Sequence, residues 1–240
     1  MVERTNAVFR DVYSQEVIHQ IFRVHFPDID YGPCGFSEGG EGPMVYPRPV
    51  ADLTWGKGAF WPDHLPDEKP KHCGHCTCPV VGLDYYPRNG AQIGADARHV
   101  PLVDNAVDVV IFDPPHQHGV SKTTTLKHQA DFGRLPNQKD IHQLLAEVAP
   151  EIRRVARVGA IIKLTDMVEA GRFMPTHILF ASAAAGLLGM PCDMAILDSG
   201  VVRPMKPNQR VLHLRHAHSY FLIYKWSERP PRSPFWEDVV

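Results

Sequence analysis

The sequence predicts an α/β domain built on a mostly parallel, doubly wound sheet, and three observations carry that expectation. Short apolar runs alternate with helical patterns from Val50 onward. One run, Val107-Asp108-Val109-Val110-Ile111-Phe112, is almost unbroken in apolar character, as a central parallel strand covered on both faces requires. Acidic residues recur at the ends of successive runs, where open α/β sheets bind their ligands.

The elements follow in order. Ser14 opens a helix with Val17, Ile18, Ile21 and Phe22 on one face, and Pro27 ends it. A Gly/Pro-rich loop runs from Asp28 to about Pro49. Strands are expected at Val50–Thr54, Val80–Tyr85, Gln92–Ala95, Val107–Phe112, Ala160–Leu164, Asp193–Leu197 and Tyr220–Lys225. Asp140 can cap a helix carrying Leu144, Leu145, Val148, Ile152 and Val155, which Pro150 should bend or split and which should end near Gly159. Pro175 starts another helix through Ala184, closed by Gly189. No helical pattern joins the last two strands, so they read as an antiparallel pair at one edge of a seven-stranded sheet. The expected organisation is a helix and loop over 1–48, the α/β domain over 49–226 and a proline- and charge-rich tail over 227–240.

Composition bounds the function. A chain of 240 residues with 44% hydrophobic content can bury one sizeable core. A formal net charge of −2 argues against coating nucleic acid by charge alone and leaves room for a local basic face. No stretch approaches the roughly 18 apolar residues of a membrane span, and the first residues lack the apolar core of a signal peptide. The expectation is a cytoplasmic protein without a membrane partner. Its five cysteines then read as reduced thiols or metal ligands.

Chemistry concentrates at the strand ends. The first strand runs into Asp52-Leu53-Thr54-Trp55-Gly56-Lys57-Gly58-Ala59-Phe60, whose two glycines let the backbone turn sharply and approach a ligand; such a pair also occurs in ordinary turns. The second strand ends in Gly82-Leu83-Asp84, where a carboxylate can hold a ribose diol. The third ends in Gly94-Ala95-Asp96-Ala97-Arg98, and Asp96 can accept from an adenine amino group or stand as a solvated carboxylate. The fourth ends in Asp113-Pro114-Pro115-His116. Its two prolines stiffen the turn that carries Asp113. A carboxylate and a neighbouring carbonyl can each accept one N–H of an amino group, which draws the nitrogen lone pair out of conjugation, and the His116 ring can stack on a base. A rigid turn with an exposed aspartate is the bland alternative.

Taken together, these motifs resemble the amino-methyltransferases that modify adenine N6 or cytosine N4 in DNA, a layout that some RNA methyltransferases share. The likeness covers roughly Pro49 to Trp226. It implies a Rossmann-like class I methyltransferase fold, mostly parallel with one antiparallel strand, and S-adenosyl-L-methionine as cofactor. It also implies that Asp52, Thr54, Gly56 and Gly58 cradle the methionine end, that Asp84 holds the ribose, and that Asp96 and Ala97 hold the adenine. Asp113, Pro114 and Pro115 would grip the target amine beside His116. An aspartate opening the tetrapeptide looks more like the adenine-modifying members.

Two basic stretches are candidates for phosphate contact. One carries Lys122 and Lys127, the other Arg203, Lys206, Arg210 and Arg215, and neither contains an acid. A solvated basic face is the alternative for both. His72-Cys73-Gly74-His75-Cys76-Thr77-Cys78 has the spacing of half a zinc knuckle, with Cys34 the one distant candidate; it is either a structural zinc site or a reduced, metal-free loop. The expected partner is nucleic acid, DNA foremost. An RNA base, cytosine N4, a catalytically silent module of the same fold and a nicotinamide-dependent oxidoreductase are the alternatives; the last leaves Asp113-Pro114-Pro115 unexplained.

Overall fold

The computed structural model describes residues 8–10, 14–29, 50–56, 58, 60–61, 80–86, 91–115, 138–169, 172–198 and 218–226. Its elements run β1 (Val8–Arg10), α1 (Ser14–His25), β2 (Val50–Asp52), β3 (Val80–Asp84), β4 (Ile93–Gly94), β5 (Val107–Phe112), α2 (Gln138–Val155), β6 (Ala156–Leu164), β7 (Met167–Glu169), β8 (Arg172–Met174), α3 (Thr176–Leu188), β9 (Asp193–Asp198) and β10 (His218–Lys225).

All seven expected strands form, and β1 adds an eighth, giving the order β1-β9-β10-β6-β5-β2-β3-β4. The expected count of seven is therefore corrected. Three residues are too few to show a strand period, and β1 is held by parallel pairing with β9. That pairing also moves the β9–β10 pair one strand in from the edge where the sequence puts it. Within this sheet β10 alone runs against its neighbours, β6 and β9. The remaining ladders are parallel. β7 and β8 form a separate antiparallel hairpin. This is a Rossmann-like α/β fold, mostly parallel with one antiparallel strand in the main sheet, as expected.

Strand alternation splits the core into two layers. One face of the sheet carries Ala51, Val110, Phe112, Ala160, Ile162, Leu164, Leu222 and Tyr224 and packs against α2 and α3. The other carries Val50, Val109, Ile111, Ile161, Phe221 and Ile223 and packs against α1 through Val17, Ile18, Ile21, Phe22 and, just beyond it, Phe26. Burying each of the valine, leucine, isoleucine and phenylalanine side chains among them stabilises the fold by roughly 1.5–3 kcal/mol. The polar exception in β5, Asp108, is buried but ion-paired with Arg157 of β6, whose Nε donates at 2.7 Å.

For α2, a split at Pro150 and an end near Gly159 are corrected. The helix is continuous through Pro150. Pro150 and Ala146, the residue whose carbonyl loses its N–H partner, are both on the exposed side, where water can replace the bond. The helix also stops at Val155, and β6 begins at Ala156. Gly159 is thus a strand residue and no stop signal: a Cβ there would overlap the Tyr224 carbonyl and the Phe26 ring. The helix from Pro175 forms as expected, with Gly189 at its C-cap.

Candidate functional site

Alternation also decides which side chains meet at the carboxyl edge. Asp52 follows Val50, Asp113 follows Ile111 and Lys163 follows Ile161 at two-residue spacing, so all three lie on the face covered by α1. Their strands β2, β5 and β6 are adjacent. Asp52 pairs in register with Ile111, and Phe112 with Ile162, so Asp113 and Lys163 stand side by side at the strand ends.

The glycine turn starts where β2 stops. Gly56 (φ 53°) and Gly58 (φ 67°) both lie in the left-handed region that favours glycine. Trp55 N–H donates to the Leu83 carbonyl at 2.9 Å, and Trp61 N–H to the Gly58 carbonyl at 2.8 Å. Three aromatic side chains, Trp55, Phe60 and Trp61, are buried and anchor the turn in the α1-side core. The Trp55 indole lies so close over β3 that a Cβ on Gly82 would overlap it. Asp84 closes the turn from the neighbouring strand: its Oδ2 accepts from Gly56 N–H at 2.7 Å and its Oδ1 from Tyr86 N–H at 2.9 Å.

A single chain of hydrogen bonds connects this turn to the tetrapeptide. Trp61 Nε1–H donates to Asp52 Oδ2 at 2.9 Å, and Thr54 N–H donates to Asp52 Oδ1 at 3.0 Å. Thr54 Oγ1 in turn accepts from Asp113 N–H at 2.6 Å. Lys163 Nζ donates to Asp113 Oδ2 at 2.8 Å and lies 5.3 Å from the centre of the Phe60 ring. Burial pushes the Asp52 carboxyl up to about 7, against the Thr54 and Trp61 N–H donors, and the neighbouring Asp113 charge adds to the rise.

Asp96 stands beyond β4 and is gripped by Arg98, whose Nη2 donates to Oδ2 at 2.6 Å and whose backbone N–H donates to Oδ1 at 2.9 Å. The Arg98 side-chain bonds hold the Asp96 carboxyl below the usual range despite partial burial. Arg98 also reaches Glu147 of α2 at 3.2 Å, so this clasp ties the strand end to a helix. Ala97, half-buried, packs on the α2-side core. Tyr85 and Tyr86, next to Asp84, are exposed and meet edge to face at 4.8 Å.

The structure thus brings together Asp52, Thr54 and Asp113 directly, sets Gly56 and Gly58 on the adjoining turn with Asp84 bonded to Gly56, and puts Asp96 and Ala97 farther along the same edge. His116, Lys122, Lys127, Arg203, Lys206, Arg210, Arg215, Cys34 and the whole His72–Cys78 cluster lie outside the described residues. The connection after Asp198 nonetheless leaves and re-enters at the carboxyl edge, because Asp198 pairs with His218. Among the described residues no group of three or more His, Cys, Asp or Glu is arranged to hold a metal, and no helix is long and apolar enough to cross a membrane.

Sequence reasoning missed Trp61, Lys163 and the role of Arg98. Lys163 had a readable signal, a lone cation in the apolar run Ala160-Ile161-Ile162-Lys163-Leu164. It also missed a cluster near the ends of β6 and β10. His177 Nδ1 lies 2.6 Å from the buried Asp166 Oδ1, and its ring stacks on Tyr220 at 3.7 Å. Burial, followed by the Asp166 charge, pushes the Tyr220 hydroxyl up to about 12.

No protein-family model matches the chain, and no curated protein matches it. Several solved structures are similar at low identity. A candidate DNA modification methylase from Thermus thermophilus, complexed with S-adenosyl-L-methionine, is 19% identical, with 58% of this chain and 55% of that chain covered and a TM-score of 0.37. This chain therefore spans about half the length of the Thermus protein. A SAM-dependent methyltransferase from Aquifex aeolicus is 13% identical, with 88% and 89% covered and a TM-score of 0.38. The magnesium protoporphyrin IX methyltransferase of Synechocystis PCC 6803, with bound SAM, is 9% identical, with 88% and 79% covered and a TM-score of 0.37.

Proposed function

We propose that this chain transfers a methyl group from S-adenosyl-L-methionine to the exocyclic amino group of a nucleobase, with adenine N6 in DNA the favoured target. The observation that carries this reading is the hydrogen-bonded chain Trp61–Asp52–Thr54–Asp113, which couples a glycine turn suited to a ligand with a carboxylate on a proline-stiffened strand end.

The residues present suit the cofactor. Gly56 has no side chain, and among the described residues a Cβ there would meet only the Thr54 carbonyl, at 3.7 Å, which suits close approach of a ligand. Each oxygen of Asp84 accepts a backbone N–H and keeps a lone pair for a ribose hydroxyl. Asp52, Thr54, Gly56 and Gly58 take the methionine end, and Asp96 with Ala97 takes the adenine, Asp96 being shared with Arg98. When bound, the cofactor supplies an electrophilic methyl group.

The chain's own residues do the rest. Asp113 and a carbonyl of the Pro114-Pro115 turn accept the two N–H groups of the target amine, and His116 stacks on the base. Held this way, the nitrogen lone pair leaves conjugation and points at the methyl, and Asp113 takes the surplus proton after transfer. Positioning of this kind supplies much of the rate. Lys122, Lys127, Arg203, Lys206, Arg210 and Arg215 contact phosphates, and a duplex target has its base flipped out.

The test is methyl transfer from labelled cofactor to unmodified DNA and RNA in parallel, with Asp113→Ala as control and products identified as nucleosides by mass. N6-methyladenine from DNA, absent with the variant, is the expected result. A methylated RNA base or N4-methylcytosine reassigns the target. Cofactor binding without any methylated base overturns the reading.

A further inference from the structure

Lys163 has no part in the function as read from the sequence, yet its surroundings are specific. It is the last residue but one of β6, with its side chain 14% exposed, and donates to Asp113 Oδ2 at 2.8 Å. Its ammonium lies over Phe60 of the glycine turn and near Phe221 of β10, whose ring centres are 5.3 Å and 6.0 Å from Nζ. An aliphatic cation held over aromatic faces is fixed in place as well as shielded from water.

Among the described residues, Lys163 faces Asp113 from β6 and Asp52 from β2, while Phe60 of the glycine turn and Phe221 of β10 add uncharged rings. The Lys163 charge balances that of Asp113 and keeps the carboxylate in its accepting form. It also changes what the site will take. A second cation arriving at Asp113 gains little from a carboxylate already paired and is repelled by Nζ. A neutral amino group meets no such repulsion and needs only an acceptor. Exocyclic amines of nucleobases are neutral because their lone pair is conjugated with the ring, whereas aliphatic amines are protonated near neutral pH.

We infer that Lys163 is a positioning residue for Asp113 and that its fixed charge makes the site select neutral, conjugated amino groups over cationic aliphatic ones. The inference rests on the reading of Asp113 as the amine acceptor and narrows the substrate class of that site. It needs no cofactor chemistry, so it can be tested on the protein alone.

Three variants separate charge from structure: Lys163→Arg keeps the cation, Lys163→Gln keeps an N–H donor without charge, and Lys163→Met keeps neither. Carbon-13 NMR of carboxyl-labelled aspartate follows Asp113, its signal assigned by its loss in Asp113→Asn. The Asp113 midpoint is expected to rise by about one pH unit or more in the Gln and Met variants and to stay near wild type in the Arg variant. Calorimetric binding of 1,4-diaminobutane is expected to strengthen about tenfold in the Gln and Met variants only, consistent with relief of a like-charge repulsion. Methyl transfer to a nucleobase should fall in kcat, with KM within about threefold, again only in the uncharged variants. An unmoved Asp113 midpoint with unchanged diamine binding overturns the inference even where the wild type methylates DNA, and a merely structural lysine would give that result with a lowered Tm. Conversely, the expected shifts in a protein that methylates no nucleobase uphold the charge-setting role of Lys163 and overturn the reaction.

Discussion

The hydroxyl of Thr54 accepts the backbone N–H of Asp113 at 2.6 Å, across 59 residues of sequence. The bond joins the turn after β2 to the residue after β5 and sets the distance between the glycine turn and the carboxylate proposed to hold the amine. Thr54→Val keeps the shape and removes the acceptor, leaving a part-buried N–H unsatisfied at a cost of about 1–3 kcal/mol. Urea denaturation should read that loss, and kcat should fall more than cofactor affinity. Thr54→Ser should recover most of both; equal behaviour of the two variants would refute the role.

Gly82 makes room for the Trp55 indole. Gly82→Ala should cost about 1–3 kcal/mol by overpacking and weaken cofactor binding at the same time, because Trp55 leads directly into Gly56. Gly186, in the exposed part of α3, has none of the described residues within 4 Å of an added Cβ. Gly186→Ala should therefore stabilise by about 0.5–1 kcal/mol with cofactor affinity unchanged. Parallel denaturation and calorimetry of the two variants check both statements.

Asp52 titrates in the fold at about 7, above the 3.8 of an unperturbed aspartate. Between those values the native state binds one proton more than the unfolded chain. Its stability contribution is full below the window and declines as the pH rises through it, by up to about 1.4 kcal/mol per unit. Asp52→Asn should remove that slope from denaturation curves taken at pH 5, 6 and 7. If the cofactor's cationic methionine end sits at Asp52, its binding favours the ionised carboxyl and releases a proton below about pH 7. Affinity then rises with pH, and calorimetry in buffers of different ionisation heat should show proton release that the Asn variant lacks.

Neutralising Arg210 and Arg215 should flatten the dependence of DNA binding on salt. Each phosphate that is no longer neutralised lowers the slope of log K against log salt by about 0.9 on a duplex. Filter binding across a salt series measures this, and an unchanged slope would place both arginines away from the nucleic acid.

Much of the fold was legible because it is periodic. Val107–Phe112 reads as a buried strand, and Val17, Ile18, Ile21 and Phe22 as a helix face, since each pattern repeats at the spacing that burial imposes. What escaped depends on partners distant in sequence. β1 is a strand only because β9 lies beside it, and Gly159 looks like a helix stop until Phe26 and Tyr224 are seen against it. The same holds at the site. Asp52, Thr54, Asp84 and Asp113 announce themselves by their position after apolar runs, whereas Lys163 and Arg98 matter only through the carboxylates they reach, Asp113 and Asp96.

The strand order has a temporal meaning. β1 and α1 lie far ahead of β9 in sequence, with 168 positions separating His25 from Asp193, and yet rest on it. During synthesis the part of the α1 stripe that meets β9 stays uncovered until β9 has emerged. The central ladder of β2, β5 and β6 can assemble earlier, but its α1-side face waits for the opening segment to be drawn back by the late strands. Such distant closure makes folding slow and the intermediate adhesive. A ribosome-bound chain halted before residue 193 should therefore hold the cofactor half of the sheet and still present α1 to any chaperone that recognises an amphipathic helix.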